Sequence, residues 1–512
     1  MTDLLDPLYR QNAEFQPEQH DKYWLLGNAE GGGVVCDASA YHIWSAFDGR
    51  PTDEVIRAAS AETGTPAAFV ESTAKVLARA GLLIPSRPLP SRIHALSTGP
   101  VGFGSPPLVS VIILAGPQAL AHLEICLSSV MGQTYPNLEV ILFDNQLKDD
   151  LAEFIEQSFP QVIVISADEP LGFDAANNLA MKQAQGEFFF LLNDDTEMDA
   201  DCVAECMSVI TRSDRTAVVV PKMKLFFMRS FLNSIGNSLY PNGQSCDNFV
   251  GYLDTGQFDD TDQVFSACFG AALLRSSVVE EIGYLDEAYS FYFEDTDWSY
   301  RARISGYDVV AAPRAIVYHK FNASMDELPS TFKLGLVARN RMRFIWKNLN
   351  LGRALRFTRI YVTETLRHIG WATDKGMADI MRTYGQGWWQ WLRSLPDLAI
   401  ARRQTRRLRH PTFRDDAVFA LVDTVPRPML YGRYPLICAT VIREHYMQLE
   451  MFRPESPLKV EESSPIVMPP PADIATLLRK AKQALNENGL AGLMKETGRY
   501  LYWRFTVAQN KQ

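Results

Sequence analysis

The feature that most constrains this chain is an alternation of short apolar runs with amphipathic helical patterns between residues 109 and 192. Val109-Ser-Val-Ile-Ile-Leu114 is a β-branched run and reads as a buried strand. Leu120, Leu123, Leu127 and Val130 then recur at helical spacing until Gly132 and Pro136 stop the pattern. Residues 138–143 give a second strand ending at Asp144-Asn145, residues 150–159 a helix closed by Pro160, and residues 162–165 a third strand. Gly172-Phe173-Asp174 opens a helix over 175–183, and 187–192 is a further strand. Strands alternating with helices at this spacing imply right-handed crossovers, an α/β fold and a mostly parallel sheet. In such a sheet ligands bind beyond the carboxyl ends of the strands. Asp144, the Gly172 turn and Asp195 are therefore expected on one rim.

Two acidic clusters sit where such a rim would use them. Leu191-Leu-Asn-Asp-Asp-Thr196 ends the last apolar run, and Phe293-Glu-Asp-Thr-Asp297 follows about a hundred residues later. Carboxylates at the end of one strand suit a hard divalent cation, Mg²⁺ or Mn²⁺, with Asp195 the first candidate and Asp194 or the Asn193 amide oxygen assisting. The second cluster supplies a carboxylate from a distant segment. Asp297 reads equally as an acid at a helix start, with Arg301 its partner one turn on. Asp144 reads also as a turn cap, and Arg339 as a solvated helix charge.

Several successive motifs resemble those of the family 2 glycosyltransferases. They are Val109-Ser-Val-Ile-Ile, Val140-Ile-Leu-Phe-Asp-Asn145, Leu171-Gly-Phe-Asp-Ala-Ala-Asn-Asn178, Leu191-Leu-Asn-Asp-Asp-Thr196, Gly270-Ala-Ala-Leu-Leu-Arg275 and Phe293-Glu-Asp-Thr-Asp-Trp-Ser-Tyr-Arg-Ala302. The likeness covers about residues 107 to 345 and is greatest to the rhamnosyltransferase-like and galactofuranosyltransferase-like branch. It implies a GT-A, Rossmann-like fold and inversion at the anomeric carbon. Residue by residue, it implies that Asp144 contacts the nucleotide base, that Asn193, Asp194 and Asp195 form an Asp-x-Asp-like donor and metal motif, and that His319 is a second metal ligand. It further implies that Asp295 is the catalytic base with Glu294 beside it, and that Arg339, followed by Asn340, lies near the donor diphosphate. The chain departs from the family in Leu114-Ala-Gly-Pro-Gln-Ala119, where a polar loop usually touches the nucleotide, and in Pro170.

The implied chemistry asks for these residue types. Releasing a nucleoside diphosphate develops phosphate charge that a metal on Asp195 and His319 would stabilise. The acceptor hydroxyl loses its proton on the opposite face of the sugar, which calls for a base across the cleft. A carboxylate nucleophile is the competing role for Asp295.

The rest of the chain divides into further regions. Residues 1–90 form a small winged-helix-like α+β module: strands near Tyr23-Trp-Leu-Leu26 and Val34-Val-Cys36, then a helix capped by Asp37 that carries Tyr41, Trp44 and Phe47 on one face. Helices over 52–62 and 66–80 follow. Cys36 through Trp44, Phe47-Asp-Gly49 and Ala80-Gly-Leu-Leu-Ile84 are similar to the PqqD-like fold, which implies binding of a peptide; a docking domain for an unrelated partner is the alternative. Residues 91–106 are a linker, 107–325 the transferase domain, 326–410 a basic helical extension, 411–472 a mixed region with a Pro-rich linker, and 473–512 a last helical segment.

Between Arg339 and Arg409 there are sixteen Lys/Arg against four acids, interleaved with Trp346, Trp371, Trp388, Trp389 and Trp391, in a chain of net charge −10. A membrane-surface contact, a solvated helix face and a diphosphate clamp all fit that pattern. Nucleic acid does not, because no recognition motif accompanies the charge. A hydrophobic content of 47% excludes wholesale disorder. No secretory leader and no apolar run of spanning length are read, and the seven cysteines include only Cys202 and Cys206 as a close pair, expected to be buried thiols. The expectation is a cytoplasmic protein, peripheral at the inner face of the plasma membrane, acting on a nucleotide-sugar donor and a glycan, lipid-linked or peptide acceptor.

Overall fold

In the computed structural model the described residues are 8–421, with gaps of which 87–104 and 321–329 are the longest, and 439–442. The helical segment expected over 474–505, the Pro-rich stretch 454–471, Trp371 and the Asp37 cap lie outside the described residues and side chains.

The N-terminal module holds β1 (Leu8–Gln11), β2 (Gln16–His20), β3 (Tyr23–Gly27), β4 (Gly32–Asp37), α1 (Ala38–Ala46), β5 (Asp48–Pro51), α2 (Thr52–Thr63), α3 (Ala67–Arg79) and β6 (Leu83–Pro85). β1, β2 and β5 are short strands rich in polar residues and β6 is a three-residue apolar strand, none with an alternation long enough to reveal it. β1 is central in a three-stranded sheet, order β5-β1-β6. The apolar face expected on α1 is real: Trp44 and Phe47 are buried, the Trp44 indole donates to the Leu82 carbonyl at 2.9 Å, and Tyr41 stacks on Trp24 with ring centroids 3.5 Å apart.

The central domain runs β7 (Val109–Ala115), α4 (Leu120–Met131), β8 (Leu138–Asp144), α5 (Asp150–Ser158), β9 (Ile163–Ser166), α6 (Phe173–Gln183), β10 (Phe188–Asn193), β11 (Thr196–Met198), α7 (Cys202–Ile210) and β12 (Thr216–Leu225). It continues through β13 (Met228–Ser234), β14 (Asn237–Leu239), β15 (Ser245–Asp247), β16 (Ala271–Arg275), α8 (Ser276–Ile282), α9 (Glu294–Ile304) and β17 (Asp308–His319). The α/β class is as expected. The pairing is mixed rather than mostly parallel: β9, β8, β7 and β10 are parallel neighbours, whereas β16 inserts antiparallel between β10 and β12, and β11 and β13 also pair antiparallel. Apolar runs report burial and not strand direction, and the long excursion from Asn193 to Ala271 brings the chain back reversed.

Side-chain alternation along these strands builds a helix layer on each face. Ile112, Ile141, Phe189 and Leu191 share one core with Ala180 and Met181 of α6 and with Val279, Ile282, Trp298 and Ala302 of α8 and α9. Val111, Ile113, Val140, Leu142 and Phe190 face the other way, against Leu123, Leu127 and Val130 of α4 and Val203 and Cys206 of α7. Cys202 and Cys206 are buried free thiols, as expected.

Helices then dominate: α10 (Ser330–Asn348), α11 (Leu351–Asp374), α12 (Ala378–Arg393), α13 (Leu395–Arg407) and α14 (Asp415–Phe419), followed by β18 (Ala439–Ile442). α10 joins the central domain through Phe344 and Ile345, which with Leu349 just beyond its end share a core with Tyr289, Phe293 and Tyr300. β18 pairs antiparallel with β4 at the edge of the sheet β18-β4-β3-β2. Among the described residues no helix is long and apolar enough to cross a membrane.

Candidate active site

The carboxyl ends of β7, β8 and β10 lie side by side, because Ala115 pairs in register with Asp144 and Leu114 with Asn193. Asp144 thus stands on the rim that the alternation predicted. Beyond β10 the chain turns sharply, and the Thr196 hydroxyl donates to the Asn193 carbonyl at 2.7 Å to close the turn. That turn divides the two aspartates. Asp194 Oδ2 accepts the Gly116 N–H at 3.0 Å, and burial together with the neighbouring Asp195 charge pushes its carboxyl up to about 7. Asp195 points instead at β17: Thr196 and His319 are register partners, and His319 Nε2 lies 3.1 Å from Asp195 Oδ1.

His319 is held from behind by Asn233 of β13, whose Oδ1 is 2.6 Å from Nδ1. Both ring nitrogens therefore face oxygen. Burial pushes the imidazole pKa down, but the Asp195 carboxylate overrides it and the net shift is upward. Burial likewise opposes ionisation of Asp195, and His319 pulls it below the usual carboxylate range. The Asn233 oxygen takes the proton on Nδ1, so the atom shared with Asp195 is Nε2, the arrangement by which an outer partner orients a metal-binding histidine. Among the described residues no group of three or more His, Cys, Asp or Glu is arranged to hold a metal by protein donors alone. One carboxylate and one imidazole nevertheless fit Mg²⁺ or Mn²⁺, which complete their shells with water and phosphate oxygens.

The second carboxylate cluster starts α9. Asp295 Oδ2 accepts the Asn237 side-chain amide at 2.7 Å, and Oδ1 accepts the Thr296 N–H at 2.5 Å and hydroxyl at 3.0 Å. Burial raises its carboxyl to about 6 against those hydrogen bonds. The charge of Asp247 on β15 raises both Asp295 and His319, so the two clusters border common ground. Glu294 is more enclosed, with one carboxylate oxygen lacking any hydrogen bond; burial first, then the Asp295 charge, pushes it well above its ordinary range.

Backbone strain precedes these acids. Ser290, Tyr292 and Phe293 all have positive φ, at 68°, 67° and 79°, a left-handed conformation that costs a non-glycine residue about 1–3 kcal/mol and persists only where surroundings impose it. Asn340 of α10 imposes it here, donating its side-chain amide to the carbonyls of Tyr289 at 3.0 Å, Phe291 at 2.6 Å and Tyr292 at 2.9 Å. Arg339 lies beside it, bonded to Asn340 Oδ1 and the Tyr289 carbonyl, and lines a cavity of about 200 Å³ with Arg343, Gln390, Ser394 and Asp397. Its contacts are thus to the strained loop and not to the Asp194–Asp195 turn.

Asp297 is committed to contacts within the protein. It is fully buried and bonded to Arg301, Lys347, Asn348 and Tyr289, and although burial opposes its ionisation, Lys347 and Arg301 hold its carboxyl far below the usual range. Of the two readings open for it, the i+4 pairing with Arg301 is the one formed.

Sequence reasoning missed Asp174, Asn233 and Asn237 as members of the site. By sequence Asp174 marks only the opening of a helix. It is fully buried, neither oxygen has a well-formed hydrogen bond, and burial lifts its carboxyl to about 8 against the pull of the Ser290 N–H. The apolar residue types around it gave no signal; the two asparagines lie in strands without readable periodicity.

The strand ends thus set the Asp195–His319 pair apart from a second, half-buried carboxylate, Asp295. Residues 110–283, about a third of the chain, match the family model Glycosyl transferase family 2. Similar curated proteins include y4gI of Sinorhizobium fredii, described as uncharacterized, at 30% identity over 43% of this chain and 25% of the relative. Another is O-antigen biosynthesis protein RfbC of Myxococcus xanthus, at 28% identity over 40% of this chain and 16% of the relative. A third is the low-salt glycan biosynthesis hexosyltransferase Agl10 of Haloferax volcanii, at 23% identity over 46% and 74%. The chain spans a quarter or less of the length of the first two. Solved structures that it resembles include GalNAc-T7 with UDP, GalNAc and Mn²⁺, with TM-score 0.42, 16% identity and 51% of each chain covered. The mannosyltransferase PcManGT from Pyrobaculum calidifontis with GDP-Man and Mn²⁺ gives TM-score 0.38 at 13% identity, covering 59% of this chain and 86% of that one.

Proposed function

We propose that this protein is an inverting glycosyltransferase of GT-A type that moves a sugar from a nucleotide-sugar donor to a glycan or lipid-linked acceptor, with Asp295 as the general base. The observation that carries the reading is the Asp295 carboxyl: buried enough to be raised to about 6, yet oriented by Asn237 and Thr296. A base is most effective when its pKa lies near the working pH, and at neutral pH Asp295 is ionised and ready to take a proton. Burial and the Asp295 charge both disfavour ionisation of Glu294, which limits the charge crowded beside the base.

In this reading Asp195 and His319 hold Mg²⁺ or Mn²⁺, with Asn233 orienting the imidazole. A cation there would stabilise the leaving diphosphate as a Lewis acid. Asp144, Asn193 and Asp194 line the strand ends and position the donor nucleotide, while Arg339 braces the strained loop before α9. Tight holding of both substrates in line supplies much of the rate, as in any displacement between bound partners.

A second reading gives the N-terminal module, here taken as PqqD-like, a peptide acceptor to present. It is favoured by β18: an extended segment already adds antiparallel to the β4 edge, the way sheets capture peptides.

A screen of nucleotide sugars tests the first reading, scoring donor hydrolysis with and without Mn²⁺. Metal-dependent turnover of at least one donor that falls in Asp295→Asn is the expected result. No hydrolysis and no binding of any donor in calorimetry would sink it.

A further inference from the structure

We propose that the outer face of α12 and α13 is a docking surface for an anionic lipid bilayer. The two helices form one nearly continuous path, since Ser394 between them has helical dihedrals, and Pro396 stands in the first turn of α13, where it is tolerated. Their inner face is committed to α10: Tyr384, Leu398, Ala401 and Thr405 are buried, and a Cβ on Gly387 would lie 2.8 Å from the Gly335 carbonyl, so the helices meet at backbone distance.

The opposite face carries Trp389, Leu392, Arg393, Ile400, Arg403 and Arg407. At 100° per residue these six fall within about a third of the helix circumference. The apolar members are unusually open to solvent, Trp389 at 60%, Leu392 at 45% and Ile400 at 62%. None of the three arginines makes an ion pair among the described residues, and the nearby acid Asp397 is already taken by Arg343 at 2.8 Å. The chain as a whole is acidic, at net −10; the stripe is a local inversion of that charge, with large apolar side chains set between the cations.

That combination matches an anionic bilayer, where tryptophan and aliphatic side chains enter the headgroup boundary and arginines meet lipid phosphate. A soluble polyanion would use the arginines and leave the exposed apolar side chains without a role. Docking through this face would hold the transferase domain at a membrane where lipid-linked acceptors reside, but the surface stands on its own whether or not sugar transfer is the activity.

Sedimentation of the full chain with phosphatidylcholine vesicles, with and without phosphatidylglycerol, tests it. Binding is expected only with phosphatidylglycerol and is expected to weaken with salt. Each arginine near an anionic surface contributes about fivefold in affinity, so the R393Q/R403Q/R407Q variant should bind roughly 100-fold less well. W389S/I400S should also lose vesicle binding while its affinity for heparin is unchanged. Protection of residues 395–407 from hydrogen exchange on adding vesicles to the unaltered chain gives the same test without any variant. Failure to bind phosphatidylglycerol vesicles, vesicle binding unaffected by either variant, or absence of that protection would overturn the proposal. So would heparin and vesicle binding that depend on the arginines alone.

Discussion

The side-chain amide of Asn340 donates to the Tyr292 carbonyl at 2.9 Å, two residues before Glu294 and three before Asp295. It makes two similar bonds, to the Tyr289 and Phe291 carbonyls, so one amide group holds a loop with three left-handed residues. With only two hydrogens for three acceptors, at least one is shared. Asn340→Ala should remove this amide donor from the loop carbonyls and destabilise the protein by about 1–3 kcal/mol in urea denaturation. It should also lower kcat by releasing the start of α9. Asn340→Asp, which faces three carbonyls with a carboxylate, should be worse on both measures.

Asp295 sets the acid limb of the activity. Its carboxyl is raised to about 6, so the proposed base is protonated at pH 5 and ionised at pH 7. A plot of kcat/KM against pH should rise through about 6 and then level. Asp295→Asn keeps the shape but cannot take the proton, and kcat should fall by about 10²–10⁴ with donor affinity within a few-fold. A loss entirely in donor binding would make Asp295 a binding group.

Metal removal should act through Asp195 and His319. Calorimetric titration of Mn²⁺ in the presence of donor should give binding that Asp195→Ala and His319→Ala both abolish, with circular dichroism unchanged. Asn233→Ala should weaken metal affinity by roughly 10–100-fold, because it removes the partner that orients the imidazole. Mn²⁺ binding retained in both Asp195→Ala and His319→Ala would move the metal elsewhere.

Asp174 should make stability fall with rising pH. Its folded-state carboxyl is raised to about 8, above the value in an unfolded chain. Between about pH 4 and 8 the folded state therefore holds the extra proton, stability declines across that window, and the full cost is present above pH 8. Asp174→Asn removes the titration at nearly constant shape. Its unfolding free energy relative to the parent chain, from urea denaturation, should climb from pH 5 to pH 9, by about a few kcal/mol at most. A constant difference would show that the ionisation of Asp174 is not what burial penalises.

Sequence alone determined the elements that depend on local pattern. Val109 to Asn193 read as strand, helix, strand because side-chain periodicity records which face is buried, and the structure keeps those elements to within a few residues. Asp195, Glu294 and Asp295 were legible as site candidates because their acidic clusters fall where strand ends and a distant segment could meet, whereas His319 was legible only through its spacing in the resemblance to the family.

Only tertiary structure decided what those residues lean on. Asn233 meets His319 across 86 positions, Asn237 meets Asp295 across 58, and Asp297 is claimed by Lys347 and Asn348 of a helix fifty residues away. It also decided the direction of β16, and that Arg339 turns toward Tyr289. Such contacts are set by where the sheet and α10 bring distant chain together, and they leave no period in the sequence; a buried amide that orients an acid has the same local pattern as any other asparagine.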